Sequence, residues 1–449
     1  MTGFIKTLLF ILLSASVAAQ DQFAGRDKLR AHTNEFRKEV VRVTDGVYVA
    51  VGYSLGNAIL IQGDGGSIIV DTLSNTADAR EVKAEFAKLS TTPVRAIVYT
   101  HFHPDHVGGT TVFAGNDGPE IYGHQLLAER APDIGRGGRD GGNQFGSLLP
   151  APLYLNAGIG PGIARPAAPG GLPTPVQDGY LRPTRTFSGE RMAITVAGVR
   201  LELLHTPGET SDALSVWLPD KRVLMPGDDF YRAFPNLYAI RGVRLRPVDQ
   251  WLASLGTMIG LGAEHLVPSH TRPISGAADV SAALTAYRDG IKSVLDQTMA
   301  GMRKGERPDE LVQHVKLPPG LADNPYLQEY YGTVAWAVRA IYTDYLGWFD
   351  GNATNLFPLA PADRAAKIVA LAGGAGQVLA RARAALEGGE FQWAAELADY
   401  VLAADAASAA ARRVKADALT ALGERQISAN ARNYYLSAAQ YLLRGLPPQ

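Results

Sequence analysis

The alternation of apolar and polar positions divides the chain into a strand-rich first part and a helix-rich second part. Between residues 46 and 230, short apolar runs are separated by Gly, Pro and Asp, and these runs predict strands. They are GVYVAVG, NAILIQG, SIIVDT, RAIVYT, AITVAG, VRLELLHT, ALSVWLP and RVLMPG. TADAREVKAEFAKLS and GHQLLAERA repeat apolar residues every three or four positions, which predicts helices between the strands. Strands that alternate with helices are typical of an α/β layered domain.

After about residue 276 the apolar period becomes helical and alanine becomes frequent. The segments are ADVSAALTAYRDGIKSVLDQTMAGMRKG, YYGTVAWAVRAIYTDYLGWF, ADRAAKIVALAGGAGQVLARARAALEGG, QWAAELADYVLAADA and SAAARRVKADALTALGERQ. Several resemble the antiparallel helix pairs of tetratricopeptide-like repeats, which usually bind partners or dimerise. We therefore predict an α/β domain over residues 20–280 and an all-helical domain over residues 281–449.

Two further segments differ in composition from both parts. MTGFIKTLLFILLSASVAAQ carries Lys6, a short apolar run and then small residues, which predicts a signal peptide over residues 1–19 and a secreted or periplasmic protein. The apolar run is shorter than the roughly 20 residues that a spanning helix needs. Residues 131–191 are rich in Gly and Pro, which is typical of either a functional loop or a disordered one.

Composition narrows the possible chemistry. The net charge of −1 argues against broad binding to nucleic acid or to an anionic membrane. The chain has no cysteine, so any metal must be held by His, Asp and Glu.

The stretch RAIVYTHFHPDHVGG holds three of the nine histidines within six positions, directly after a predicted strand. Ligands in α/β sheets are expected at the carboxyl ends of strands. His101 and His103 can point the same way, whereas Asp105 and His106 follow the turn at Pro104 and point elsewhere. One loop can therefore serve two metal ions a few Å apart.

The pattern HxHxDH followed by GG resembles the metal-binding motif of the metallo-β-lactamase superfamily of hydrolases. The resemblance implies an αββα sandwich with further ligands downstream. It implies Glu209 in the TPG turn, where most members have histidine, and His270 in EHLVPSHTRP. It also implies an acidic ligand shared by both metals, Asp228, with Asp229 as the less favoured alternative.

Glu209 and three other stretches narrow the resemblance to the zinc-dependent alkyl sulfatases of this superfamily. The stretches are DDFYRAFPNLYAIRGVRLR, YYGTVAWAVRAIYTDYLGWFDGNATNLFPLAP and NYYLSAAQYL. That family has a metal-hydrolase domain, a helical dimerisation domain and usually a sterol-carrier-like domain, so the resemblance implies a homodimer formed through the helices. Because the sequence ends at Gln449, we expect the third domain to be missing, which favours shorter, secondary or aryl sulfate esters.

Carried over to this sequence, the family pattern implies two zinc ions per chain. His101 and His103 would bind the first ion, and Asp105 and His106 the second. The pattern also implies a sulfate-binding group, which consists of Asn236, Arg241 and Arg246. Arginine's planar fork suits an oxyanion, although two arginines five residues apart can also form a solvated surface pair. Tyr331 is predicted either to line the substrate channel or to pack in the core.

The implied reaction is hydrolysis of an alkyl sulfate ester to an alcohol and inorganic sulfate by a metal-activated water. Asp105 would orient the water, and Arg241 and Arg246 would stabilise charge as the ester breaks. Attack on carbon and attack on sulfur both remain open. Two alternatives also remain: another hydrolase acting on a lactone, lactam, phosphoester or other ester, and a binding protein with a silent metal site.

Overall fold

The computed structural model describes residues 23–130, 179–240 and 245–445. The predicted signal peptide, Arg241 and residues 131–178 of the Gly- and Pro-rich segment lie outside the described residues. In the described ranges, no helix is both long enough and apolar enough to cross a bilayer.

The strands of the described residues form two sheets, one of seven strands and one of six. The first sheet runs in the order of the chain, from β1 to β7. It contains β1 (Glu39–Thr44), β2 (Val47–Val51), β3 (Ala58–Gly63), β4 (Gly66–Val70), β5 (Val94–Val98), β6 (Glu120–His124) and β7 (Arg185–Phe187). The second sheet has the order β13-β12-β11-β10-β9-β8. It contains β8 (Arg191–Val196), β9 (Val199–His205), β10 (Leu214–Leu218), β11 (Val223–Met225), β12 (His265–Leu266) and β13 (Ile274–Ser275).

Local sequence explains most of these strands. β4 and β5 are runs of β-branched residues with almost every position buried, as expected for parallel central strands. β8 and β9 pair antiparallel across the turn at Ala197 and Gly198, both of which have positive φ, and this is the backbone that a two-residue hairpin needs. Five strands, β1, β6, β7, β12 and β13, are not among the eight runs that the sequence predicted. β1 is half exposed along its length, so it has no continuous apolar run.

The two sheets pack face to face, and helices cover both outer surfaces. Side chains such as Val49 and Ile61 of the first sheet meet Leu203 and Val216 of the second in one core. The outer face of the first sheet is covered by helices Thr76–Ala87 and Thr110–Ala114. The outer face of the second is covered by helices Val248–Gly260 and Ala277–Arg303. The order of layers is therefore α, β, β, α, as the resemblance implied.

The remaining chain is helical to its described end. Its helices are Pro308–His314, Pro319–Ala322, Val334–Leu346, Pro361–Leu371, Ala375–Glu387, Phe391–Ala404, Ala409–Arg425 and Ala429–Leu443. The last four share a core of their own. Helix Ala277–Arg303 crosses the boundary predicted near residue 280, and apolar side chains as far as Tyr342 pack with the second sheet. The position of the boundary stays a prediction, and the packing favours a later division.

Candidate metal and oxyanion site

The seven predicted metal ligands converge from four loops, which follow β5, β9, β11 and β12. Every one of their side chains is buried. They are His101, His103, Asp105, His106, Glu209, Asp228 and His270. Three overlapping groups drawn from this set have donor atoms within 4.8 Å of one another. The arrangement is a cluster of nitrogen and oxygen donors that could hold a divalent metal.

Asp228 lies at the centre of the cluster. Its Oδ2 lies 3.0 Å from Nε2 of His270, 3.5 Å from Nε2 of His106 and 3.8 Å from Nε2 of His101. Asp105 faces the same histidines, with its Oδ2 3.5 Å from Nε2 of both His106 and His270. One carboxylate oxygen of Asp228 therefore faces three of the predicted histidine ligands at once.

The second half of the cluster contains His103 and Glu209. Nδ1 of His103 lies 2.9 Å from Nε2 of His101 and 3.9 Å from Oε1 of Glu209. His103, Glu209 and Asp228 form one of the three donor groups. His101 occurs with His106 and Asp228 in another group, so the sharing of one ion by His101 and His103 stays a prediction.

In three of the histidines, a neighbouring oxygen contacts Nδ1, the ring nitrogen that does not face the cluster. Nδ1 of His270 donates to the carbonyl oxygen of Leu55 at 2.9 Å, and Nδ1 of His106 donates to Oδ2 of Asp71 at 2.8 Å. Nδ1 of His101 lies 3.1 Å from Oγ1 of Thr100. These contacts occupy Nδ1 and turn each Nε2 toward the cluster, where it would be the metal-binding nitrogen. Nε2 of His106 has no hydrogen-bond partner among the described residues, as expected of a metal ligand.

Asp71 is a residue of the candidate site that the sequence did not predict. It is fully buried, and its carboxylate accepts hydrogen bonds from His106, from Oγ of Ser269 and from both N and Oγ1 of Thr100. Its φ of 58° lies in the left-handed region, which costs energy unless the surroundings hold it there. The only signal in the sequence is its position at the end of the apolar run SIIVDT.

The charges in the cluster favour a cation. Burial works to lower the pKa of His270, but the charge and hydrogen bond of Asp228 outweigh burial and raise it to about 9. For His106, the carboxylates of Asp105, Asp228 and Asp71 likewise overcome burial and raise the pKa well above its usual value. Buried carboxylates that pull protons onto neighbouring rings would instead stabilise a bound metal ion. The residues present therefore fit a divalent metal centre.

Arg246 lies against the cluster, but in a position that the sequence did not predict. Its Nη2 forms an ion pair with Oε1 of Glu209, and both side chains are buried. The arginine predicted to bind sulfate therefore also contacts a predicted metal ligand. Its positive charge offsets part of the negative charge of the cluster.

The turn that carries Glu209 is fixed by Asp229 and by the helix that covers the outer face of the second sheet. The N–H of Glu209 donates to Oδ1 of Asp229 at 2.8 Å, and a Cβ at Gly208 would lie only 2.3 Å from that same oxygen. Helix Val248–Gly260 fixes both Asp229 and the turn. Trp251 donates a hydrogen bond to the carbonyl oxygen of Asp229, and Ser254 donates one to the carbonyl oxygen of Pro207. Asp229 therefore supports the turn, whereas Asp228 faces the histidines.

Asn236 is buried, and its side-chain Oδ1 and Nδ2 have no hydrogen-bond partner among the described residues. Its backbone is held on two sides. Its N–H donates to Oη of Tyr231 at 2.8 Å, and Gly332 packs so closely that a Cβ there would lie 2.7 Å from the Asn236 Cα. A fixed backbone with an unpaired buried amide suits a ligand with hydrogen-bonding oxygens.

Tyr231 links this loop to the metal cluster and to the helical segment. Its ring lies 6.4 Å from that of His270 and 5.6 Å from that of Tyr331. Tyr331 is itself buried, in a small cluster with Tyr231 and Phe36. The structure thus places Tyr331 in core packing one ring away from the site, and its predicted contact with substrate stays a prediction.

Comparison with known proteins agrees with this geometry. Residues 51–270 match the model of the metallo-β-lactamase superfamily, and residues 307–445 match that of alkyl sulfatase dimerisation. A linear primary-alkylsulfatase of a Pseudomonas species is 39% identical over 399 residues, which cover 85% of this chain and 73% of that protein. The chain belongs to the alkylsulfatase family of the metallo-β-lactamase superfamily.

Other members of the alkylsulfatase family are also similar. An alkyl/aryl-sulfatase of Saccharomyces cerevisiae is 32% identical over 90% of this chain and 64% of its own length. The solved structure of the stereoselective inverting sec-alkylsulfatase PisA1 from a Pseudomonas species superposes with a TM-score of 0.79 at 28% identity. That match covers 91% of this chain and 66% of PisA1, so this chain spans about two thirds of both relatives. The matches confirm the predicted αββα domain followed by a helical dimerisation region.

Proposed function

We propose that this chain hydrolyses primary or secondary alkyl sulfate esters to an alcohol and inorganic sulfate, with two zinc ions per chain. The observation that carries the proposal is the position of Arg246 and Asn236. The buried guanidinium of Arg246 is paired with Glu209 of the donor cluster. The unpaired amide of Asn236 belongs to a residue whose backbone N–H donates to Tyr231, and the ring of Tyr231 lies 6.4 Å from that of His270. The names of the relatives, which include linear primary-alkylsulfatase and (R)-specific secondary-alkylsulfatase, support the same class of ester.

The donor separations support zinc. A tetrahedral ion with bonds of about 2.0–2.1 Å needs ligand atoms about 3.3 Å apart. The separations of 3.0 Å and 3.5 Å around Asp228 are close to that value. If Asp228 is shared, the donors divide into two sets of four. One set is His101, His103, Glu209 and Asp228, and the other is Asp105, His106, His270 and Asp228.

Each part of the site has a separate task in this proposal. When bound, zinc lowers the pKa of water toward neutrality and so supplies a nucleophile. Asp105 accepts a hydrogen bond from the attacking water and orients it. Asn236 donates its amide N–H to a sulfate oxygen, and Arg246 offsets the sulfate's negative charge. Because the site is buried, these fixed groups act at low dielectric, where they are worth more than in water. Arg241 is proposed to assist at the sulfate.

The direct test is release of free sulfate from primary, secondary and aryl sulfate esters by zinc-loaded protein. We expect Asp105→Ala and Arg246→Ala to lose activity, and the exposed Arg413→Ala to keep it as a matched control. The bound metal should be counted in each variant. If protein that holds two metals releases sulfate from no ester, the proposed substrate class is wrong, and lactones, lactams and phosphoesters come next.

A second measurement decides which bond breaks. Turnover in water labelled with oxygen-18 places the label in the alcohol if carbon is attacked, and in the sulfate if sulfur is attacked. PisA1 is described as inverting, which concerns that protein alone.

We also propose that the chain forms a homodimer through its helical region. The match to alkyl sulfatase dimerisation supports this, as do exposed apolar side chains in the same region. Trp348 is 73% exposed, Phe357 96% and Leu371 90%. Light scattering after size exclusion should give twice the chain mass, and Phe357→Ser with Leu371→Ser should give the mass of one chain. A single-chain mass for the parent protein would refute the proposal.

Export is proposed from the signal-peptide pattern over residues 1–19. Mature protein recovered from the periplasm or the medium should begin at Gln20. Retention of Met1 in protein confined to the cytoplasm would refute export.

A further inference from the structure

The loop of residues 54–57, which joins β2 to β3, packs against two separate groups of predicted metal ligands. Its Leu55 carbonyl oxygen accepts the Nδ1–H of His270 at 2.9 Å. At Gly56, a Cβ would lie 2.6 Å from the carbonyl oxygen of Asp105, so the backbone of this loop lies directly on the HxHxDH loop. The 54–57 loop therefore contacts ligand-bearing segments that are far apart in the sequence.

Asn57 ends this loop and contacts the backbone on both sides of His270. Its side chain is buried, and Nδ2 donates hydrogen bonds to the carbonyl oxygens of Pro268 at 3.0 Å and Thr271 at 2.9 Å. Its backbone N–H donates to the carbonyl oxygen of Ser269 at 2.7 Å. One residue thus binds three of the four carbonyl oxygens between positions 268 and 271. An amide suits this position because its NH2 group carries two donors, whereas an ionised carboxylate carries none.

Thr271, the residue after His270, has a strained backbone. Its φ of 64° lies in the left-handed region, which is rare for a β-branched residue, and its side chain is fully buried. Such a conformation persists only where the surroundings hold it. The carbonyl oxygen of Thr271 is held by Asn57, and its Oγ1 accepts the N–H of Arg232 at 3.3 Å. Because Thr271 directly follows a predicted ligand, its conformation affects the direction in which the His270 ring points.

The 54–57 loop is itself held at both ends, so Asn57 can act as a fixed support. Oγ of the buried Ser54 donates a hydrogen bond at 2.5 Å to Oδ2 of Asp78, which lies in a helix on the outer face of the first sheet. At the other end, Asn57 continues directly into β3, which is paired on both sides within that sheet. The rigid elements on either side therefore fix the position of the Asn57 amide.

We propose that Asn57 is a positioning residue, which holds the strained backbone at Thr271 and so keeps Nε2 of His270 directed at the metal cluster. The inference rests on the two-ion site of the proposed function, but not on the proposed substrate. Loss of Asn57 should weaken one ion and spare the other. The weakened ion is the one assigned to His270 together with Asp105, His106 and Asp228.

The first test measures metal retention by the purified zinc protein against a competing chelator. Asn57→Ala should raise the dissociation constant of one ion about 10- to 100-fold and leave that of the other within about threefold. Asn57→Asp keeps the size of the side chain but removes both N–H donors, so it should weaken the same ion at least as much. Val378→Ala, buried in the core of the last four helices, is the control, because it should lower stability without changing the affinity for either ion. Equal retention in Asn57→Ala and Val378→Ala would overturn the proposal.

The second test separates positioning from a general loss of stability. Glycine adopts a φ of 64° without strain, so Thr271→Gly removes the conformation that Asn57 has to hold. In that background, Asn57→Ala should weaken the ion less than about threefold, and a double-mutant cycle measures this coupling. In cobalt-substituted protein, the visible absorption of the affected ion should shift in Asn57→Ala and return in the double variant. Losses that are equal in both backgrounds would contradict the positioning role.

A failure to fold is also informative. If Asn57→Ala does not fold, recovery of folding in the double variant with Thr271→Gly would show the same coupling between the two residues. A double variant that also fails to fold would refute the proposal.

The outcomes separate this inference from the proposed function. Parent protein that binds two ions, with both retained equally well in Asn57→Ala, would refute the positioning role and leave the two-ion site intact. Parent protein that binds one ion would refute the two-ion site, and the same variants would then decide the role of Asn57 on that ion. Because neither test needs an ester, a failure to release sulfate would refute the substrate class alone.

Discussion

The metal cluster and the loop around Asn236 are neighbours, but they are positioned in different ways. Four of the seven metal donors come from one stretch of six residues after β5, and a single buried carboxylate, Asp71, orients that loop. The Asn236 loop has no comparable local motif. Its backbone is fixed by Tyr231 and by Gly332, which comes from the helical part of the chain. The 101–106 part of the donor cluster is therefore organised largely by local sequence, whereas the position of Asn236 depends on packing between distant segments.

The largest expected effect comes from Asp228, because it faces three histidines at once. Asp228→Ala should lower kcat/KM about a thousandfold, since metal stabilisation is worth several kcal/mol. It should also lose at least one metal per chain, as measured by elemental analysis. Asp229→Asn is the control, because it keeps the oxygen that accepts the Glu209 N–H. Full metal content with near-normal sulfate release in Asp228→Ala would remove Asp228 from the site.

The second-largest effect is expected at Asp71, which contacts His106 and is not itself a predicted metal ligand. Asp71→Asn should weaken metal affinity about 10- to 100-fold, as measured by chelator competition, because it weakens the orientation of His106. Asparagine tolerates the left-handed backbone at this position, so folding should be preserved. Ser269→Ala removes one hydrogen bond to Asp71 and should have a smaller effect. Unchanged affinity in Asp71→Asn would show that the loop is fixed by other contacts.

A smaller effect is expected at Gly332, which packs against the Asn236 loop. Gly332→Ala places a Cβ against the Pro235 carbonyl, which should displace the Asn236 loop and cost about 1–3 kcal/mol of unfolding free energy. We expect a roughly tenfold lower kcat/KM, in line with about 1.4 kcal/mol of lost transition-state binding, and an unchanged metal content. Gly320→Ala is the control, because open space surrounds Gly320. A loss of metal in Gly332→Ala would mean that the two regions are not independent.

The smallest effect is a pH dependence at His32, which stacks on the ring of Tyr330 at 3.9 Å. Burial, together with the nearby charge of Arg232, lowers the pKa of His32 from 6.5 to about 4. As the pH falls, His32 is therefore protonated in the unfolded chain before it is protonated in the folded protein. The stability that is present above pH 6.5 is lost as the pH falls toward 4. At pH 5.5 the loss should be about 1 kcal/mol relative to pH 7.5. In denaturant titrations, His32→Phe should reduce this loss; an equal loss in both proteins would assign it to other groups.

The residues of the site differ in how far the sequence could predict them. The HxHxDH loop is a local motif and is visible in the sequence. Glu209, Asp228 and His270 could be predicted at the ends of later strands because the fold that this motif implies places ligands there. The contact of Arg246 with Glu209 could not be predicted, because the two residues come from separate loops that meet only after the sheets pack. Asp71 and Tyr231 were missed for a related reason. A buried acid or phenol has no distinctive spacing until its partners are known. Arg241 lies outside the described residues, and its role stays a prediction.

The sequence by itself determined the layered α/β part and the helical part, because the apolar period is a short-range property. The spacing in the HxHxDH loop predicted four of the metal donors for the same reason, whereas Glu209, Asp228 and His270 were implied by the family resemblance. Only the tertiary structure decided which oxygen faces which histidine, how the Glu209 turn is held, and that Gly332 packs against the Asn236 loop. The physical reason is that hydrogen bonds, ion pairs and close packing act over a few Å in space. Residues far apart in the chain come within that range only when the sheets and helices have packed.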